Sequence, residues 1–134
     1  MVENKKMGLA LVCSDGRLHQ GRVQYNKQLC DALGVDLVDI VALPGPDGLF
    51  KAGREVERDV ALAQAKLLID AHHPTAVAVV GHYTCAGNPT SDEEHDADAK
   101  AAAEKCKTAL GFENVLSFST VRHSDEEWSL KKIS

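Results

Sequence analysis

The sequence has few aromatic residues and no long apolar run, and each of these features excludes a class of protein. Aromatic side chains make up 4% of the 134 residues, too few for the stacking platforms that bind nucleic-acid bases. No stretch approaches the roughly 20 apolar residues of a membrane-spanning helix. Basic residues are in the minority, 15 against 20 acidic ones. The resulting net charge of −5 argues against nucleic acids and anionic membranes as partners.

Cysteines are also few, and several well-known motifs are missing. Four cysteines do not make a disulfide scaffold, and none of them forms the C-x-x-C pattern of a thioredoxin-like site. The phosphate-binding patterns G-x-x-x-x-G-K-[ST] and G-x-G-x-x-G are absent as well. Lys5 and Lys6 precede a short apolar stretch that no cleavage motif follows, so we expect a buried strand and a cytoplasmic protein. In that compartment, clustered cysteine and histidine usually mean metal binding or catalysis.

Short apolar runs alternate with amphipathic stretches along the chain. Such continuous runs predict strands that are buried in a parallel sheet. The four predicted strands are residues 8–13, 37–43, 75–81 and 114–121. Alternation in the fourth strand suggests an edge position or one solvated face. A fifth strand, short and antiparallel, is predicted around residues 128–133.

The stretches between the strands carry helical patterns. Apolar residues from Val56 to Ala71 recur every three or four positions and predict one face of a helix over residues 55–71. A capping box at Ser91 opens a helix that Gly111 ends, and a weaker helix ends at Gly34. Strands that alternate with helices predict a single α/β domain over residues 1–134, with a central, mostly parallel four-stranded sheet, a fifth strand at one edge and flanking helices.

Two predicted strands end in residues that suit metal binding. Cys13, Asp15 and Arg17 lie at the end of the first strand, and His82 and Cys85 follow the third. If these strands are neighbours, two thiolates and an imidazole meet at one edge of the sheet, which is what a tetrahedral zinc site requires. Asp15 is two residues from Cys13 and can reach the fourth ligand position of such a zinc site. Arg17 is placed to pair with Asp15 and hold it away.

These residues resemble the active-site signature of the β-class carbonic anhydrases, C-x-D-x-R followed about 70 residues later by H-x-x-C. The resemblance implies that Cys13, His82 and Cys85 bind Zn²⁺. It implies that Asp15 and Arg17 form the catalytic pair, with Asp15 either an accessory base or the fourth ligand. It also implies that a zinc-bound hydroxide attacks CO₂ to give bicarbonate, in a homodimer or higher homo-oligomer.

The chain resembles a small, diverged member of that family. The loop at residues 43–48 lacks the family's Arg and Asn, and Ala86 stands where the family has a glycine. We expect the Gly- and Pro-rich residues 43–53 to form a turn-rich loop over the crevice. Tyr83 is a candidate for lining the pocket or a subunit contact, and Gly87 for a backbone position that a side chain would obstruct.

Three alternatives remain open at this stage. The first is a zinc-binding protein without CO₂ hydration activity, in a regulatory or interaction role. Relatives of this scaffold also hydrolyse CO₂ analogues such as carbonyl sulfide. The third alternative is a flavodoxin-like nucleotide or ligand binder in which the cysteines are incidental.

The remaining cysteines and three histidines have structural interpretations. Cys30 and Cys106 fall on apolar helix faces, which indicates core packing. His72 and His73 close a predicted helix, where the helix dipole favours positive charge. His95 lies among acidic residues, which indicates a solvated first turn.

Overall fold

The computed structural model describes residues 4–134, in which strands and helices alternate until the last two strands pair directly. The strands are β1 (Met7–Val12), β2 (Leu37–Ala42), β3 (Ala76–His82), β4 (Val115–Ser124) and β5 (Glu127–Lys132). The helices are α1 (Tyr25–Leu33), α2 (Glu55–His72) and α3 (Asp92–Leu110). Two short 3₁₀ turns, Gly21–Val23 and Pro46–Gly48, lie in the loops. Among residues 4–134, no helix has the length and apolar character needed to cross a bilayer.

The five strands form one sheet in the order β2-β1-β3-β4-β5. β1 to β4 are parallel, and β5 runs antiparallel to β4. This confirms the predicted α/β fold, including the fifth strand at one edge. β2 lies on one side of β1 in the sheet, and β3 lies on the other. The order in which the strands are added therefore reverses at β1, and β1 and β3 are parallel neighbours.

Each face of the sheet has its own apolar core, because the side chains of a strand alternate between the faces. Leu9 and Leu11 of β1 pack with α2 and α3, whereas Ala10 and Val12 pack with α1 and β5. Two of the inner strands, β1 and β3, are buried along their whole length. This explains why their sequences are continuously apolar.

The helix ends follow the predicted capping signals. The Ser91 hydroxyl accepts a hydrogen bond from the Glu94 amide at the start of α3. Gly34 and Gly111 end α1 and α3 in the left-handed conformation that glycine adopts at little cost. Cys106 is buried in the core, as predicted, and Cys30 is half-buried on α1.

The predicted core face of α2 is wrong, although the helix itself is confirmed. Val56, Val60 and Leu67 belong to the periodic pattern, but they are 78%, 53% and 70% exposed. The buried residues are Ala61 and Ala65, whose small side chains let α2 lie close to the sheet. The periodic pattern predicts the helix correctly, but it assigns larger apolar side chains to the core instead of the two alanines that contact the sheet.

The predicted edge position of β4 is also wrong. β4 lies between β3 and β5, and most of its first seven residues are buried. The outer strands are β2 and β5. Serine and threonine produce the alternation in β4. Ser117, Ser119 and Thr120 are all fully buried, and Ser119, for example, donates its hydroxyl hydrogen to Asp96.

Candidate metal centre

Three loops meet at the carboxyl end of the sheet, beside the place where β1 and β3 are neighbours. They follow β1, β2 and β3, at residues 13–24, 43–54 and 83–91. In parallel α/β sheets, functional crevices form where the direction of the strand order reverses. The site residues predicted from the two motifs all lie in the first loop, in the third loop or at the last position of β3.

The side chains of Cys13, His82 and Cys85 come together beneath these loops. Their donor atoms lie within 4.8 Å of one another, and the two sulfur atoms are 3.8 Å apart. None of the three residues is more than 4% exposed. Two sulfurs and an imidazole nitrogen at this spacing can hold a metal ion.

The His82 ring is oriented with one nitrogen towards the sulfurs. Its Nδ1–H donates to the carbonyl oxygen of Tyr83 at 2.9 Å, which leaves the Nε2 lone pair free. Among the described residues, Nε2 is buried without a hydrogen-bond partner. A backbone acceptor on one ring nitrogen is the usual way to orient a histidine that binds a metal through the other.

The two thiols are in hydrogen-bond contact, and their pKa values move in opposite directions. The hydrogen bond from Cys85 lowers the pKa of Cys13, although burial opposes its ionisation. The same hydrogen bond, with burial, raises the pKa of Cys85. The backbone amide of Gly45, from the loop after β2, also favours the Cys13 thiolate. These contacts favour the thiolate form of Cys13, and metal binding requires that both thiols lose their protons.

Asp15 and Arg17 form an ion pair at the mouth of this cluster. Nη2 of Arg17 lies 2.8 Å from Oδ2 of Asp15, and Nε lies 3.2 Å from each carboxylate oxygen. These hydrogen bonds outweigh burial and hold the pKa of Asp15 below its ordinary value. Oδ2 of Asp15 is also 3.8 Å from Nε2 of His82. The carboxylate thus stays ionised within a short distance of the donor cluster.

The β4–β5 hairpin supplies two residues that the sequence analysis did not assign to the site. Asp125 accepts a hydrogen bond from Arg17, and the Arg17 guanidinium stacks over the ring of Trp128. Trp128 and Arg17 are 111 positions apart (128 − 17) and belong to different elements. No local pattern signals such a contact.

The loop after β2 is packed tightly against the loop after β3. A Cβ atom on Gly87 would lie 2.6 Å from the carbonyl carbon of Pro44, and one on Gly45 would lie 2.5 Å from that of Gly87. Arg54 joins the two loops by donating to the carbonyl oxygens of Gly45 and Gly87, at 2.7 and 3.4 Å. Gly87 therefore occupies a position that a side chain would obstruct. Arg54, from the end of the loop, stabilises a segment that itself contains no arginine at residues 43–48.

His95 does not lie in a solvated turn, and that expectation is wrong. It is 0% exposed, and its Nδ1 lies 2.6 Å from Oδ2 of Asp47 in the loop after β2. Asp47 in turn packs against Gly81, where an added Cβ would lie 2.5 Å from the same oxygen. Asp92, Glu93 and Glu94, which precede His95 on α3, are exposed. His95 instead points into the domain and anchors the loop.

Tyr83 directs its hydroxyl group to α3. It donates to Oδ1 of Asp96 at 3.0 Å, and Lys131 of β5 lies 2.7 Å from Oδ2 of the same carboxylate. This network joins the loop after β3 to α3 and β5. The pocket or subunit-contact role of Tyr83 stays a prediction.

Comparisons with known proteins agree with the geometry. A family profile described as “Putative carbonic anhydrase” matches residues 3–134. The fold is similar to the crystal structure of a carbonic anhydrase from Streptococcus mutans, with a TM-score of 0.59 and 15% sequence identity over 94% of this chain and 81% of that one. At this identity the likeness concerns the fold alone. A search of curated proteins finds no match. Because the profile spans almost the whole chain, this protein belongs to that carbonic anhydrase family.

Proposed function

We propose that this protein is a zinc-dependent lyase that hydrates CO₂ to bicarbonate, with Cys13, His82 and Cys85 as the zinc ligands. The observation that carries the proposal is the buried cluster of three donor atoms within 4.8 Å, one of them an imidazole nitrogen without another partner. Membership of the carbonic anhydrase family supplies the class of reaction.

The donor set fits zinc in both spacing and charge. Two Zn–S bonds of about 2.3 Å at a tetrahedral angle place their sulfurs roughly 3.8 Å apart. The sulfurs of Cys13 and Cys85 are separated by 3.8 Å. Two thiolates and a neutral imidazole also balance the charge of Zn²⁺, so the buried centre would carry no net charge.

The residues around the cluster have defined tasks in this proposal. When bound, zinc supplies a water ligand whose pKa falls to about 7, which makes a nucleophile available at neutral pH. Asp15 accepts a hydrogen bond from water at this position, because its Oδ2 is the carboxylate oxygen beside His82. Arg17 keeps Asp15 ionised and oriented. The Asp15 side chain is 21% exposed, so it also links the buried donors to solvent for proton exchange.

A second candidate function is zinc binding without CO₂ hydration, in a regulatory or interaction role. The observation in its favour is the closed packing over the donors, which are at most 4% exposed beneath the tight contact of Gly45 with Gly87. Hydrolysis of an analogue such as carbonyl sulfide would use the same nucleophile and is tested with the same protein.

Metal analysis followed by a rate measurement tests the proposal. We expect about one zinc per chain in the purified protein, and loss of zinc in Cys85→Ala. Stopped-flow CO₂ hydration should then exceed the buffer rate. Asp15→Asn should keep the zinc and lower the rate, whereas the control Asp31→Asn, which alters an exposed ion pair on α1, should change neither. Full zinc occupancy without a rate would support the second candidate, and a folded protein without zinc would refute both.

We also propose that the protein is cytoplasmic and forms a homodimer or higher homo-oligomer. The free thiols suit a reducing compartment. The exposed apolar residues Val56, Val60 and Leu67 on α2 are of the kind that subunit contacts cover. Light scattering of the wild type and of Leu67→Glu tests the proposed homo-oligomer. A monomeric wild type would contradict it.

A further inference from the structure

The β4–β5 hairpin reaches across the site and contacts Arg17 on two sides. Nη1 of Arg17 donates to Oδ1 of Asp125 at 3.2 Å. The guanidinium carbon lies 5.0 Å from the ring centroid of Trp128, in a cation–π arrangement. Arginine is a long and flexible side chain, so contacts on two sides restrict its position.

Trp128 is itself held firmly and also contacts a candidate metal ligand. It is 4% exposed, and its indole N–H donates to the backbone carbonyl oxygen of Asp125 at 3.1 Å. Its ring meets the His82 ring edge to face, with centroids 5.7 Å apart and planes at 75°. One rigid side chain therefore packs against both the donor cluster and the Asp15–Arg17 pair.

The hydrogen-bond donors of Arg17 are divided between three parts of the chain. Nε and Nη2 donate to Asp15, Nη1 donates to Asp125, and Nη2 also contacts the carbonyl oxygen of Thr84 at 3.2 Å. The Gln20 side-chain amide joins the first loop to the hairpin, because it donates to the carbonyl oxygens of Arg17 and Asp125, each at 2.7 Å. The loop, the hairpin and the guanidinium thus form one connected unit.

Asp15 lies between Arg17 and the donor cluster, and the hairpin favours the contact with Arg17. Its Oδ2 is 2.8 Å from Nη2 of Arg17 and 3.8 Å from Nε2 of His82. A small shift towards His82 would bring the carboxylate to the donor cluster. An Arg17 side chain fixed by Asp125 and Trp128 opposes that shift, because Asp15 would have to give up its hydrogen bonds to Arg17.

We propose that Asp125 and Trp128 are positioning residues that hold Arg17 on Asp15 and so keep the Asp15 carboxylate away from the fourth position at the metal. This inference rests on the proposed function, since it requires a metal at Cys13, His82 and Cys85. In this proposal, the hairpin helps to keep the fourth ligand position of the metal available for water.

The test uses the protein loaded with Co²⁺, whose visible absorption reports which atoms surround the ion. Asp125→Ala and Trp128→Leu should each change the cobalt spectrum of the wild type. Adding Asp15→Asn should abolish that change, so that each double variant matches Asp15→Asn alone. In the zinc-loaded forms, CO₂ hydration should fall about 10- to 100-fold while the metal content stays constant.

Matched controls separate positioning from general loss of packing. Phe118→Leu truncates another buried aromatic residue of the same core cluster, and Asp31→Ala removes an exposed carboxylate on α1. Neither should alter the cobalt spectrum. If Trp128→Leu does not fold, Asp125→Ala carries the test alone, because Asp125 is 63% exposed in the hairpin turn.

Each result has a defined meaning. Spectra unchanged in both variants, or changes that persist in the Asp15→Asn background, overturn the inference while leaving the metal site intact. An effect confined to one variant assigns the role to that residue and removes it from the other. A wild-type protein that binds no cobalt overturns the proposed function and this inference together.

Discussion

Replacing His95 by leucine should destabilise the protein far more than the same change at His72, which contacts a carboxylate at an equally short distance. His95 and Asp47 lie 2.6 Å apart with side chains that are 0% exposed. His72 and Asp39 also lie 2.6 Å apart, but their side chains are 32% and 18% exposed. The two pairs share their geometry and differ in access to water.

The expected magnitudes follow from that difference. Removing one partner of a fully buried pair leaves the other desolvated and costs about 3–5 kcal/mol. Breaking a pair that water can reach costs about 0–1 kcal/mol. For a domain of this size, 1 kcal/mol shifts the melting temperature by roughly 3–5 °C, so His95→Leu should melt about 10–20 °C below the wild type.

Urea unfolding followed by circular dichroism measures both variants under the same conditions. His95→Leu should lower the free energy of unfolding by several times the effect of His72→Leu. Asp47→Leu combined with His95→Leu should recover part of the loss, because no unpaired polar group then remains buried. A His95→Leu effect no larger than that of His72→Leu would refute the assignment of this pair as the buried anchor of the loop.

Three further predictions concern packing, pH and metal binding. Gly87→Ala should lower the free energy of unfolding by about 1–3 kcal/mol in urea titrations, because the added Cβ would lie 2.6 Å from the Pro44 carbonyl carbon; an unchanged midpoint would contradict the contact. Burial disfavours the ionised form of Asp96, but its hydrogen bonds, led by that from Lys131, lower its pKa. The stabilisation by Asp96 is therefore present above pH 3.8, its ordinary pKa, and is lost as the pH falls below it. The difference in melting temperature between wild type and Asp96→Asn should shrink in that acid range. A difference that stays constant would contradict the lowered pKa of Asp96. Trp128 is the only tryptophan of the chain and lies against His82, so Co²⁺ should quench the intrinsic fluorescence in proportion to its binding; full occupancy without quenching would place the metal elsewhere.

The fold was largely predictable because buried parallel strands have continuously apolar sequences. β1 and β3 are apolar at almost every position, since helices cover both of their faces. The glycines that end α1 and α3 mark those boundaries equally well. The orientation of α2 was not predictable in this way, because Ala61 and Ala65 make the closest contacts while larger apolar side chains remain exposed.

The candidate site was predictable only in part, for a related reason. Cys13 and Cys85 lie at strand ends that the topology brings together, so their meeting follows once β1 and β3 are neighbours. Trp128, Asp125 and His95 act through contacts with distant parts of the chain, and their immediate neighbours in the sequence carry no sign of this. The acidic residues around His95 even favoured the opposite interpretation.

X-ray absorption at the zinc edge of the purified protein tests the central claim most directly. The account predicts one zinc per chain with two sulfur ligands at about 2.3 Å and a histidine nitrogen at about 2.0–2.1 Å. A zinc surrounded only by oxygen and nitrogen ligands, or a folded protein with no zinc, would contradict it.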